Sequence, residues 1–508
     1  MMLSKSRSLN SPLTGRHRYS LLLVLAAGLL APGHVSSEDR DVNPRNVLFI
    51  SIDDLNDWTG GLGGHPNAMT PNIDALGEAG ILFTNAHVQA PLCGPSRASL
   101  LTGLQPTTTG IYLHINDREV RDANKATRTV TFLPEYYERH GYKTMGVGKI
   151  WHGNDLADTF QEYGERHEWF GPRPQERINY DPTEGPHYDG QSGTSTDWGA
   201  FPDSDEEMPD HYYASWAIER LQQEHDRPFF LGVGFVRPHV PWYVPQHWMD
   251  KHPLEGVELP PYKKDDMDDV PDLARRMTFM PPMPTTEYLI EEGQWRQMVR
   301  AYLASTTWVD HQVGRVLRAL EASPYAENTV VVLFSDHGYH LGEKNRVAKM
   351  SLWERDTRVP LIFAGPEIPE GIKSSRPVGM IDIYPTLLGL TGLPSYDRNE
   401  GRSLIPLMED PEMEWPHPVM TAFGPRNISL RDDRFRYIRY EDGSEELYDH
   451  RTDPNEWHNL AKDPERRPEF QQVIDRLKAL IPTEPAPLAK RSGFDMNPYF
   501  RERMPDWR

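Results

Sequence analysis

Six short apolar runs punctuate the chain between Asn46 and Ala364: Asn46–Ile52, Gly80–Val88, Tyr142–Val147, Phe229–Phe235, Thr329–Phe334 and Val359–Ala364. Each is continuous, rich in β-branched or aromatic residues, and bounded by Gly, Pro, Asn or Asp, the pattern of a strand buried on both faces. Between them lie stretches of helical period. The longest runs from Trp295 to Leu320, and a shorter one covers Arg97–Gly103. Strands alternating with helices predict an α/β domain around a mostly parallel central sheet flanked by helices. After about residue 400 the pattern changes. Ile428–Tyr440 alternates apolar and polar residues, Glu445–Asp449 reads as its hairpin partner, and Glu469–Leu480 has helical period. This predicts a smaller C-terminal α+β subdomain with an antiparallel sheet.

In parallel sheets, ligands sit beyond the carboxyl ends of the strands. Four predicted strands end there in residues capable of chemistry. Asn46–Ile52 runs into Asp53-Asp54, and Thr329–Phe334 into Ser335-Asp336-His337. Lys149 and His152 follow Tyr142–Val147, and His239 follows Phe229–Phe235 within RPHVPW. One such ending is an ordinary polar turn, and paired aspartates also serve as helix caps. Three converging carboxylates, however, repel unless a cation joins them. An oxygen-rich set favours Ca²⁺ or Mg²⁺, and the single imidazole leaves Mn²⁺ and Zn²⁺ open.

Composition narrows the picture. With 38 Gly and 46 Pro the chain needs long ordered loops, and 154–210 and 253–284 are the loop-rich regions, either shaping access to a site or wrapping the surface. A net charge of −21 argues against nucleic acid as a partner. It leaves room for an anionic substrate in a locally basic pocket. Lys5, Arg7, Arg16 and Arg18 precede an apolar core, Tyr19–Ala31, with small residues at Val35-Ser36-Ser37. This reads as an export signal spanning 1–37, the alternative being an uncleaved anchor. A secreted or periplasmic location follows, with no stable membrane span after cleavage.

Export makes Cys93 conspicuous, because it is the single cysteine of the chain. An exported thiol without a partner is either an inert buried hydrophobe or a reactive group. Its setting is PLCGPSRASLLTG, giving Cys93, Pro95, Ser96 and Arg97, then Leu101, Thr102 and Gly103. This string resembles the signature of the type I sulfatases in the alkaline phosphatase superfamily. In that family the cysteine is oxidised after translation to formylglycine, so it needs no disulfide partner. The spellings RPHVPW, SDHGYHLGE and ELYDHRTDPNEWHNLA are most similar to the iduronate-2-sulfatase-like branch, although the disulfide-forming cysteines of the animal enzyme are absent.

The resemblance implies a catalytic domain over 38–400 and a C-terminal subdomain over 401–508. It implies a sulfuric ester hydrolase acting on a sulfated saccharide, with 2-O-sulfated uronic acid as one candidate, after processing by a formylglycine-generating maturation enzyme. By the same resemblance Asp53, Asp54, Asp336 and His337 match calcium ligands. Arg97 matches the arginine holding formylglycine, Lys149 and His152 the pair beside it, His239 the leaving-group histidine, and Lys349 the sulfate-binding lysine. The chemistry is coherent: a cation and basic side chains neutralise the sulfate oxygens. A hydrated aldehyde offers one hydroxyl for attack on sulfur and a second for release, with His152 as base. His114, Tyr339 and His340 are lesser candidates for substrate contact. Two rivals stand beside this reading: a phosphomonoester or phosphonate hydrolase using the same pocket, and a sulfoglycan-binding protein whose Cys93 stays a thiol.

Overall fold

The structure is a computed structural model and describes residues 45–153, 156–165, 167, 170–184, 194–492 and 504. The expected export signal, and part of the 154–210 loop region, lie outside the described residues.

Eight strands form the central sheet: β1 (Asn46–Ile52), β2 (Gly80–Phe83), β3 (Lys143–Gly148), β4 (Glu162–Tyr163), β5 (Phe229–Phe235), β6 (Thr329–Ser335), β7 (Leu361–Ala364) and β8 (Ile372–Ser374). Their order is β8-β2-β7-β6-β1-β5-β3-β4, and β7 alone runs against its neighbours. Residues of β1, β5 and β6 are buried on both faces, which is why they read as unbroken apolar runs rather than alternating ones.

Helices cover both faces. On one, Leu48, Ile50 and Ile52 meet Ile73 of α1 (Pro71–Glu78), Tyr213 and Ala217 of α3 (Pro209–Leu221), and Val309, Val313 and Val316 of α5 (Trp295–Glu321). On the other, Val47, Phe49 and Phe334 meet Ala98 and Leu101 of α2 (Cys93–Thr102) and Ile383, Tyr384 and Leu387. A separate antiparallel sheet, β9 (Val419–Ala422) to β12 (Glu445–Asp449) through β10 (Ile428–Arg431) and β11 (Phe435–Arg439), packs Leu430, Tyr437 and Leu447 against Ile474 and Leu477 of α6 (Arg467–Lys478).

Two local expectations need correction. The run Gly80–Val88 is not one strand. It turns at Thr84-Asn85, and Ala86–His87 pairs instead with Val378–Gly379. The helix expected from Arg97 begins four residues earlier, at Cys93. Pro95 falls in its first turn, where the missing N–H has no intrahelical partner to lose. Leu92 is extended and Gly103 closes the helix at φ 71°, a left-handed position that suits glycine.

Buried charge ties the antiparallel sheet to the chain just beyond Lys349. Arg436 is fully buried, with Nη2 2.5 Å from Glu354 Oε2 and Nε 2.7 Å from Glu456 Oε1. Its Nη1 donates to Ser429 Oγ and to the Leu352 carbonyl.

Candidate active site

Strand order explains why distant residues meet. β6, β1, β5 and β3 are consecutive neighbours, so the residues following each of them emerge side by side at one sheet edge. Ile52 is in register with Ser335, which puts Asp53-Asp54 beside Asp336-His337. The structure brings all ten candidate residues into this neighbourhood. Asp53, Asp54, Asp336, His337, Cys93, Arg97 and Lys149 are each at most 2 % exposed.

Close backbone approach seats Lys149. Gly148 takes φ 76°, and a Cβ on Gly234 would lie 2.2 Å from the Lys149 carbonyl carbon, so neither position tolerates a side chain without displacement. Lys149 Nζ then reaches Asp53 Oδ2. Arg97, one turn into α2, spends its guanidinium on the carboxylates: Nη2 lies 3.2 Å from Asp53 Oδ1 and Nε 2.8 Å from Asp336 Oδ2. Its Nη1 donates to Ser51 Oγ and the Ile150 carbonyl. Asp54 adopts φ 62°, a left-handed conformation that Asp reaches more readily than most residues. Its backbone N–H donates to Asp336 Oδ1.

Cys93 opens α2, with its Sγ 3.0 Å from His337 Nε2 and 3.1 Å from Lys349 Nζ. His152 also hydrogen-bonds to it. Burial alone would raise the thiol's pKa, but Lys149, Lys349 and His337 outweigh it and hold it well below its ordinary value. Lys349 Nζ lies 2.8 Å from Asp54 Oδ1, and that carboxylate and Cys93 keep its pKa high against burial. His239 directs Nε2 toward Asp54 Oδ2 at 3.8 Å, because its Nδ1 is committed to the Val240 carbonyl and Phe170 stacks on its ring. His337 is fixed the same way, with Nδ1 at the Gly338 carbonyl and Nε2 turned to Asp54 and Cys93.

Ligand atoms of Asp53, Asp54, Cys93 and His337 lie within 4.8 Å of one another, a possible metal site. Asp54 Oδ2 is buried with no hydrogen-bond partner among the described residues. Burial raises the pKa of Asp336 despite Arg97, while Lys149, His239 and Arg97 draw Asp53 down against burial. For His337, burial opposes charge, yet Asp336 and Cys93 push the ring up to about 10. Asp336, expected as a ligand, is not among the four clustered residues, its oxygens being taken by the Asp54 N–H and Arg97 Nε; the three neighbouring carboxylates, one with an unpartnered oxygen, still fit a hard divalent cation.

Of the lesser candidates, His114 stacks on His152, and Tyr339 is buried beside the site. His340 is a scaffold residue, since its Nδ1 pairs with Asp356 Oδ1, and Asp356 also receives the Ser351 N–H, cinching the loop that carries Lys349. Region 253–284 does more than wrap the surface: Leu273, Ala274 and Met277 of α4 (Asp272–Thr278) pack with Leu92 and Met350, the neighbours of Cys93 and Lys349. Sequence reasoning missed Asp210. Its carboxylate accepts the N–H groups of Val236 and Arg237 and so sets the turn bearing His239. No local spacing links residues so far apart. Ser51, which binds Arg97, was legible only as a small residue beside Asp53-Asp54, whereas Ser96, which donates to the Asp336 carbonyl, stands within the Cys93 motif itself.

Comparison with known proteins gives the same constellation a lineage. The sulfatase family model matches residues 45–393, and the model for the C-terminal part of N-sulphoglucosamine sulphohydrolase matches 342–483. A sulfatase of Formosa agariphila is 46 % identical over 96 % of both chains. Human iduronate 2-sulfatase is 30 % identical over 75 % of each. The solved structure of a 2-O GAG sulfatase shares the fold with a TM-score of 0.65, at 24 % identity, covering 86 % of this chain and 91 % of its own. The chain belongs to the sulfatase family, whose members hydrolyse sulfuric esters.

Proposed function

We propose that this protein is an exported sulfatase that removes sulfate from a sulfated saccharide, with a 2-O-sulfated uronic acid as the favoured target, using formylglycine made from Cys93. The observation that carries the reading is the setting of Cys93, at the start of α2 and within 3.1 Å of both His337 Nε2 and Lys349 Nζ. The uronate target rests on likeness to iduronate 2-sulfatase. Export rests on the basic, apolar and small-residue order of residues 1–37. No helix among the described residues is long and apolar enough to cross a membrane.

Asp53, Asp54, Asp336 and His337 would hold the divalent cation, with Ca²⁺ favoured by their oxygen-rich chemistry. When bound, it would offset sulfate charge and favour the ionised nucleophile. Formylglycine would supply a hydrated aldehyde, one hydroxyl to attack sulfur and one to permit release. The chain's other groups have separate tasks. Lys349 and Lys149 offset negative charge beside residue 93. Arg97 keeps the carboxylates in place. His239, with Nδ1 already a donor to Val240, offers Nε2 to the departing sugar oxygen as acid. His152, hydrogen-bonded at residue 93, accepts the proton of the second hydroxyl.

The test is the mass and aldehyde reactivity of the peptide containing residue 93, from protein made with a maturation enzyme. It is paired with turnover of sulfate and phosphate esters of one alcohol. Loss of the sulfur together with preferential sulfate release supports the proposal. Phosphate turnover without sulfate turnover favours the phosphoester or phosphonate hydrolase. An intact thiol with saccharide binding and no release favours the binding protein.

A further inference from the structure

We propose that His114 is a positioning residue of this site: its imidazole lies face to face against that of His152 and holds His152 toward residue 93. The inference rests on the function proposed above. The two ring centroids are 3.9 Å apart with planes inclined by 14°. This contact is made by the ring face, since Nδ1 of His114 is buried and has no hydrogen-bond partner among the described residues. His114 cannot easily swing away, because Tyr112 and Leu113 before it are fully buried and Ile115 after it is 4 % exposed.

Gly94 makes the arrangement possible. A Cβ at residue 94 would lie 2.8 Å from His114 Nδ1, so the residue following Cys93 leaves the space that the ring fills. His114 therefore wedges between the helix start that carries the nucleophile and the imidazole that serves it. Burial, then the neighbouring His152 and the site's lysines, depress the pKa of His114 against the pull of Cys93. His114 was legible only as a candidate substrate contact; its stacking on His152 arises from tertiary folding and has no local signal.

The experiment uses the full-length matured protein with an aryl sulfate substrate. His114→Ala, His114→Phe, His152→Ala and the double His114→Ala/His152→Ala variant are compared for kcat, KM, melting temperature and aldehyde content at residue 93. The expected result is a fall in kcat of about tenfold or more for His114→Ala at unchanged KM, melting temperature and aldehyde content, because it removes an interaction that serves the reaction rather than binding. His114→Phe keeps an aromatic face and should recover most of the loss. In the His152→Ala background, removing His114 should change kcat by less than about twofold, since the two residues act as one unit. Equal losses in both backgrounds overturn the positioning role, as does a rise in KM at constant kcat, which would make His114 a substrate contact. A wild type that carries the aldehyde but releases no sulfate overturns the functional reading, and the positioning role with it.

Discussion

Arg97→Ala tests whether the guanidinium is what lets the carboxylates stay charged and buried. Arg97 is 2 % exposed and spans Asp53 and Asp336, both at most 1 % exposed. Lys149 still neutralises Asp53 in the variant, so above about pH 7, where wild-type Asp336 is ionised beside Arg97, the stranded group is Asp336. Breaking a buried pair by removing one partner costs about 3–5 kcal/mol. The entropy of unfolding is about 2.1 cal/mol/K per residue, so a chain of 508 residues has about 1 kcal/mol/K and the melting temperature should fall by about 3–5 °C. Differential scanning calorimetry in chelator and in calcium reads this directly. The loss should be smaller in calcium, because a divalent ion beside the same carboxylates takes over part of the neutralisation. Sulfate ester turnover should disappear in both. A fall of less than about 1 °C in chelator would refute the reasoning, since Asp336 would then be accommodated without its cation. An identical fall in both conditions would place the cation elsewhere.

Other consequences are equally open to measurement. Cys93→Ser should abolish multiple turnover while the melting temperature and calcium binding stay near wild type; sustained multiple turnover by this variant would exclude the aldehyde mechanism. His239→Ala should slow a sugar sulfate far more than an activated aryl sulfate, whose leaving group needs no proton; equal slowing would remove His239 from the acid role. Calcium affinity of the unmatured chain should rise with pH, because burial lifts Asp336 above the ordinary carboxylate range and Asp336 and Cys93 push His337 up to about 10 against burial, so both must give up protons to bind metal. Calorimetric titrations in buffers of different ionisation enthalpy should reveal that proton release, and its absence would contradict this charge balance. Arg436→Ala should destabilise the fold by about 3–5 kcal/mol, with Arg436→Met milder, because Glu354 and Glu456 lose a buried partner; urea denaturation showing no change would make that cluster dispensable.

The chemistry was more legible than the architecture around it. Asp53-Asp54 and Asp336-His337 follow apolar runs whose length and β-branching identify buried strands from local pattern alone. Their adjacency was not legible, because β1 and β6 pair across nearly 280 residues of chain and nothing local encodes strand order. The start of α2 was misplaced because Pro95 resembles a breaker, although a first-turn proline is compatible with a helix. Asp210, and the place of His114 against His152 rather than substrate, escaped for a different reason. Each acts through a partner brought near only by tertiary folding: the Val236–Arg237 turn for one, the His152 ring for the other.

The burial of Cys93 also sets a timetable. The sulfur is enclosed by His337 and Lys349, residues synthesised some 250 positions after it. Until those segments arrive, the thiol lies on an open chain and any reagent can reach it. Once β6 docks on β1 and the following loop closes, residue 93 is 1 % exposed and the door is shut to anything the size of an enzyme. Any macromolecular processing of this side chain would therefore have to precede completion of the fold, which would then preserve whatever state it was given.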